Sequence, residues 1–508
     1  MKLTKISLAL LAAASLWAPA LLHAQGGDGT NRAIQLPLSG RTGQPGSVDT
    51  VQTPLPGGAA SVNTLNSTVQ VQGAYQGSVP SAQAAGAPIA LSLDDAVKRG
   101  LEYNLGTVGF RHSAQLAEAQ QRSALSHLLP NVNAYLYGAD QQTDLAALGF
   151  NFTFPGFSFP TVLGPYHYFD ARARAIQTAD LTTLRNYRAA QQNSVATQYS
   201  SQDARDLVVL AVTGAYLRVI AAGARVDSAK AQVATAQATY QQASDRHDAG
   251  LSARIDVTRS QVELQMEQQR LTSQETDLAK QRINLGRLIG LPPGQQFTLS
   301  DTLPYAPLTS LTLDQALSRA YSNRPDLKAA QAQVRAAELT RKAAMAERYP
   351  SAEVAADYGV IGVNPTSSHG TFTLTGTLRI PIWQGGRISA DTEQAAAALE
   401  QRQAEYQDLR GRVDAEVREA FLDLTAAASQ VQVAENNRTL AQDTLQQARD
   451  RFAAGVADTI EVVQAQEAVA AADQDYITSL FAHNLAKTSL ARAMGQADQG
   501  IKELLEKR

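Results

Sequence analysis

Few residues in this 508-residue chain have the types and spacing that chemistry requires. The seven histidines, His23, His112, His127, His167, His247, His369 and His483, are scattered, and none pairs at metal-ligand spacing. There is no cysteine, hence no thiol nucleophile and no disulfide framework. No phosphate-cradling glycine loop and no GxSxG elbow occurs. No catalytic, cofactor-binding or metal residue is therefore assigned, and the chain reads as a protein that is not an enzyme. Two acids stand out because they recur. DRHDAGLSARIDVTRSQ (245–261) returns as DRFAAGVADTIEVVQAQ (450–466). Seven of the seventeen positions are identical, and an eighth keeps an acid, as Asp256 and Glu461. An acid in the first turn after a helix stop faces free backbone N–H groups. The chemistry available is electrostatic.

The elements that position these acids follow from the same phrase. Gly250 and Gly455 are helix-stop residues suited to a left-handed conformation. Ser252 and Asp458 are candidate N-caps of the returning helices, and Glu461, three residues after Asp458, makes a variant capping box. Before each glycine lies a long Ala/Gln-rich stretch, about 185–249 and 388–454. After it another helix runs to Gly290 or Gly495. A ~65-residue helix is about 100 Å long. These helices are too poor in large apolar residues to stand alone, so other helices must cover them.

The phrase belongs to a larger repeat. LSLDDAVKRG (91–100) reappears as LTLDQALSRA (311–320), and nine positions match at an offset of 220 up to Pro130 and Pro350. The tip phrases match at an offset of 205, so the first copy carries a 15-residue insertion between Pro130 and Asp245. The units are 91–295 and 311–497. Each opens on an N-cap candidate, Ser92 or Thr312, continues into a second helix ending at the proline, and then alternates with a period of two. In TFTLTGTLRIPIW (371–383), Phe372, Leu374, Leu378 and Ile380 share one face, while Thr371, Thr373, Thr375 and Thr377 share the other. Its partner is 352–363. The first-unit strands are 131–144 and 164–174, with the insertion between them. Ten of the chain's 30 aromatics fall between Tyr135 and Phe169, as at a membrane interface.

The ends differ from the repeats. Residues 1–24 read as a secretory signal peptide, with Lys2 and Lys5 before an apolar run. Residues 25–88 are an extended segment rich in Gly, Pro, Ser and Gln, a linker or wrapping arm. Residues 498–508 form a charged C-terminal tail. No further segment reaches about 18 consecutive apolar residues. The net charge of −3 argues against a nucleic-acid partner. Without a cysteine there is no lipidation at a mature N-terminus.

Four strands cannot close a barrel, and an open edge in lipid leaves backbone groups unpaired. Several chains must share one. A periplasmic coiled-coil adaptor or structural protein is the alternative. It accounts for the helices but not for two alternating strand pairs.

At this point the residues resemble the TolC-like outer-membrane efflux proteins. The resemblance rests on RHDAGLSARIDV and RFAAGVADTIEV, the LxLDxA openings and PIWQGGR (381–387), and it spans 91–497. It implies a mainly α protein with membrane β. Two structural repeats form a trimeric α-helical barrel continuous with a shared 12-stranded outer-membrane β-barrel. It implies a passive duct of a tripartite efflux or type I secretion system, in the outer membrane with the helical barrel in the periplasm. The partners implied are a homotrimer, a periplasmic adaptor, an inner-membrane transporter and outer-membrane lipid, with no cofactor. The resemblance places Glu461 in an acidic ring at the periplasmic entrance, with Asp256 as its symmetric counterpart. Where the family can carry a second acid, this chain has Gln464. Where it can hold the tip closed with Tyr and Arg, this chain has Phe452 and Ala457, which leaves an acidic ring, a polar latch and Phe452 packing as the alternatives for closure. Adaptor docking falls on Gly250, Leu251, Ser252 and Ala253 and on Gly455, Val456, Ala457 and Asp458.

Overall fold

Alternation and glycine stops both appear in the backbone. The computed structural model describes residues 47–52, 65–70, 73–80, 87–149, 153–154, 157–158, 160–301, 305 and 311–497. The expected signal peptide and C-terminal tail lie outside these residues, as does much of 25–88. In chain order the elements are β1 (Ser47–Gln52), β2 (Leu65–Gln70), β3 (Ile89–Leu91), α1 (Leu93–Tyr103), α2 (Leu105–Ser126), β4 (Asn131–Asp144), β5 (Thr153–Phe154), β6 (Phe157–Ser158), β7 (Val162–Ala179), α3 (Leu181–Asp248), α4 (Arg254–Leu288), β8 (Phe297–Leu299), α5 (Leu313–Asn323), α6 (Pro325–Ala346), β9 (Ser351–Gly362), β10 (Ser368–Arg379), α7 (Arg387–Ala453) and α8 (Thr459–Ala493). They fall into two compact units. Among the described residues the first holds Ala117–Ser194 and Gln333–Gln403, and the second holds the rest.

The first unit contains a four-stranded antiparallel sheet in the order β10-β9-β7-β4. The two repeats meet at β7 and β9, where Ala173 pairs with Tyr358 and Arg172 with Gly359. The strand expected at 371–383 runs instead from Ser368 to Arg379. Pro381 has no N–H to continue a ladder. The strand expected at 164–174 is longer, Val162–Ala179. The connection in the first repeat spans 145–161 against 363–367 in the second, so it is twelve residues longer and holds most of the insertion. At the helical side of this unit, Arg387, the first residue of α7, binds the buried Glu347 and, at 2.9 Å, Asp391.

In the second unit the repeats build the same core twice. In the first, Val208, Val212, Leu285 and Ile289 pack with Ala96. In the second, Val413, Val417, Leu490 and Met494 pack with Ala316. Each pair stands at the repeat offset. Gly100 of α1 is a glycine for a packing reason, since a Cβ there would lie 2.6 Å from Val212. α3 contains a stretch apolar enough to cross a bilayer, but 72 % of that stretch is buried in the fold. Val208, Val209, Leu210 and Val212 in it are core residues.

The arm of residues 25–88 is more ordered than its composition suggests. β1 and β2 pair antiparallel, with Val48 opposite Val69. Both valines pack on Leu217, Ala221, Ile477, Phe481 and Leu485 of α3 and α8. Two short strands with few apolar residues are stable here because one edge of each is paired and a helical surface lies beneath.

Candidate functional site: two hairpin tips and a two-faced sheet

The α3–α4 and α7–α8 hairpins each turn on one left-handed glycine, Gly250 at φ 72° and Gly455 at φ 75°. The closing bonds match: Leu251 N donates to Arg246 O at 2.8 Å, and Val456 N donates to Arg451 O at 3.0 Å. Both sets of orphan carbonyls are thereby satisfied. Leu251 and Val456 project outward, 72 % and 67 % exposed.

The helix starts differ. Asp458 caps α8 as expected, its Oδ1 accepting from Ile460 N and Glu461 N at 3.1 and 3.2 Å. Ser252 does not cap α4. The N-cap is Ala253, without a side-chain bond. Ser252 Oγ donates instead to Ala243 O at 3.4 Å, and its carbonyl lies 3.0 Å from His247 Nδ1. The serine is used to tie the turn back onto α3. Glu461 sits in the first turn of α8, half-buried, with Oε1 3.4 Å from Arg451 Nη1. This ion pair spans the hairpin, so the carboxylate faces a guanidinium. Gln464 is exposed one turn later, and Asp256 is half-buried in the first turn of α4.

Phe452 joins the two tips. It is 4 % exposed and packs with Leu445, Ala448, Val462 and Ala465. The Arg246 guanidinium lies 4.7 Å from its ring centroid, and Arg246 Nη1 also donates to the Phe452 carbonyl. Arg246 is the functional-site residue that sequence reading missed. It is the Arg of the repeated Asp-Arg pair, whose copy Arg451 binds Glu461, so the repetition itself carried the signal.

The sheet has two chemical faces, because residues paired across a ladder share a side. One face carries Val132, Leu136, Ala171, Ala173, Tyr358, Val360, Phe372 and Leu374. The other carries Tyr135, Tyr137, Asp170, Arg172, Arg174, Glu353, Asp357 and the threonines of β10. On the polar face Arg172 Nε binds Asp170 at 2.7 and 2.9 Å, and Nη1 binds Asp357 at 2.8 Å. This clamp ties β7 of one repeat to β9 of the other. Opposite Arg172 stands Gly359, where a Cβ would collide with the arginine. Among the described residues no group of His, Asp and Glu could hold a metal ion.

A sheet with one apolar and one polar face, both edges unpaired among the described residues, and long helical hairpins define a membrane-sheet protein whose helical tips carry its electrostatic features. The outer membrane efflux protein family matches residues 316–496. The chain is 24 % identical over 440 residues to the pyoverdine export outer membrane protein OpmQ of Pseudomonas aeruginosa, across 84 % of this chain and 89 % of that one. It is 24 % identical to the cation efflux system protein CusC of Escherichia coli, across 60 % of this chain and 68 % of CusC. The crystal structure of the Campylobacter jejuni CmeC outer membrane channel superposes with a TM-score of 0.70 at 15 % identity, covering 90 % of this chain and 98 % of CmeC. The chain is thus similar to the TolC-like outer membrane efflux channels over most of its length, and its place is the outer membrane.

Proposed function

We propose that three copies of this chain form a passive export duct, the outer-membrane channel of a tripartite efflux or secretion system. The observation that carries this reading is the sheet: four strands, an apolar face and, among the described residues, unpaired edges at β4 and β10. Unpaired N–H and C=O groups are costly in lipid, so the edges must pair with neighbouring copies. Closed membrane barrels start at about eight strands. Three sheets of four give twelve, the number the family resemblance implies. The apolar face then meets lipid, and the polar face lines a lumen. Its three acids, Asp170, Glu353 and Asp357, balance its three arginines, Arg172, Arg174 and Arg379. A lumen without a net charge suits a duct that passes what its pump delivers.

In this reading the tips ring the periplasmic entrance. Leu251 and Val456, with Gly250, Ser252, Ala253, Gly455, Ala457 and Asp458 around them, offer small exposed surfaces to an adaptor, which links the duct to an inner-membrane transporter. Glu461 and Asp256 supply entrance charge. The coiled-coil adaptor alternative leaves the apolar sheet face without a purpose. Negative-stain electron microscopy of detergent-extracted protein tests the proposal. Threefold particles with a narrow barrel at one end are expected. Single-chain particles would overturn it.

A further inference from the structure

Away from tips and sheet, one cavity holds more positive charge than it uses. It has a volume of about 300 Å³ and lies between β2, α3, α4 and α8. Arg218 and Arg225 both line it, seven residues apart and so on one face of α3. Arg225 Nη2 reaches Thr478 Oγ1 at 3.5 Å, a long bond. Its Nε is buried and has no hydrogen-bond partner. The one acid in the lining is Asp277, whose Oδ1 accepts from Gln281 Nε2 at 3.3 Å. Asp277 forms no ion pair with either arginine among the described residues.

Two guanidiniums and one carboxylate leave the cavity with an excess of one positive charge. Arginines half-removed from water usually stand against a carboxylate, because a buried donor without an acceptor costs about 1–3 kcal/mol. Burial lowers the proton affinity of Arg225, Asp277 opposes this, and the like charge of Arg218 adds to it. The guanidinium fork matches a planar or tetrahedral oxyanion. A cavity of this size has room for one small oxyanion and several waters.

We propose that this cavity is a binding site for a single small oxyanion, a phosphate or a carboxylate, held between Arg218 and Arg225. Arg225 presents Nε and Nη2 to two of its oxygens, and Arg218 supplies the second charge. Ser67 and Thr68 of β2 close one side, so occupancy also fastens the N-terminal arm to α3 and α8. The site stands on its own residues and does not depend on the export reading.

Isothermal titration of the full-length protein in detergent, with sodium phosphate or sodium acetate against sodium chloride at constant ionic strength, tests it. Saturable binding of at least one of the two oxyanions is expected. Arg225→Gln should weaken that binding at least tenfold. Arg218→Gln, which removes a half-exposed side chain and leaves the core intact, should weaken it several-fold. Asp277→Asn should tighten it, because the excess charge rises to two. The sign of that change separates a site from a folding defect. No saturable binding of either ion, or equal binding by all four proteins, would overturn the proposal.

Discussion

Arg324 stands at the same place in the second repeat as Asn104 in the first, 220 residues on, and both are 0 % exposed. Each ends the first helix of its repeat, with its N–H donating to a carbonyl four residues back. Asn104 serves the backbone alone: Nδ2 donates to Tyr75 O and Leu288 O, and Oδ1 accepts from Gly106 N. Arg324 serves charge. Its Nε and Nη2 bind Asp326 at 3.0 and 2.6 Å, and Nη1 binds Glu416. The first repeat has Gly106 and Ala211 where the second has Asp326 and Glu416, so the ionic cluster exists once.

The cluster should dominate the stability of its unit. Removing one partner of a buried charge pair costs about 3–5 kcal/mol, whereas orphaning a neutral buried group costs about 1–3 kcal/mol. Arg324→Met should therefore lower unfolding stability more than Asn104→Ala, measured by denaturant titration in detergent. Burial alone would raise the Asp326 carboxyl, but its bonds to Arg324 outweigh this and hold it below its usual 3.8. A depressed carboxylate contributes stability that is full above 3.8 and is lost as pH falls through the folded value. The deficit of Arg324→Met should shrink in acid below that pH. A larger loss for Asn104→Ala would refute the ranking.

Arg246 should be the residue that keeps the second tip against the first. A charged donor to a carbonyl is worth about 1.5–3 kcal/mol, and a cation over an aromatic ring adds about 0.5–2 kcal/mol. Both end at Phe452. Arg246→Ala should loosen the turn after Ala453 and speed tryptic cleavage at Arg451. An unchanged rate would mean that apolar packing of Phe452 with Leu445 and Val462 holds the tip alone.

What could be read beforehand, and what could not, follows from range. The alternation of Phe372, Leu374 and Leu378 against threonines is a local signal, and it located β10 to within a few residues. The glycine stops are local too. The Arg246–Phe452 contact joins residues 206 apart, and no local pattern encodes it. Ser252 misled because a serine before a helix can bond forward as a cap or backward to the preceding turn. A carboxylate on a helix gives no local sign of burial, yet Glu263 and Glu267 of α4 are buried, and burial pushes both carboxyls up, as do their acidic neighbours. The polar stretch Ser479, His483, Asn484 and Thr488 is likewise buried, and a polar alphabet gives no warning of that.

Glu461 and Arg451 should act on ion preference in opposite directions if the tips ring the entrance. Their ion pair is partly exposed, so each charge is felt by solvent. Glu461→Gln leaves an unpaired arginine and should shift the reversal potential across a salt gradient in planar bilayers toward anions. Arg451→Gln leaves the acid unpaired and should shift it toward cations. Two variants with the same reversal potential as the parent would remove this pair from the conduction path.

Lys487 gives the chain an alkaline signature. It is 2 % exposed, two turns before the end of α8, and desolvation lowers its pKa from 10.5 to about 8. Between about 8 and 10.5 the unfolded chain holds a proton here that the folded chain has released. Stability therefore rises with pH across that window. Below it the ammonium is charged in both states, and the folded state carries the penalty that the lowered pKa expresses. Above 10.5 neither state is charged and the cost is gone. Lys487→Met, which keeps the length of the stem, should stabilise the protein near pH 7. The gain should fade through the same window and be absent above it. The measurement is unfolding stability of both proteins at pH 7, 9 and 11, with Glu461→Gln as a control that leaves this region untouched. A gain that is the same at all three values would mean that packing, not charge, sets the energetics at this position.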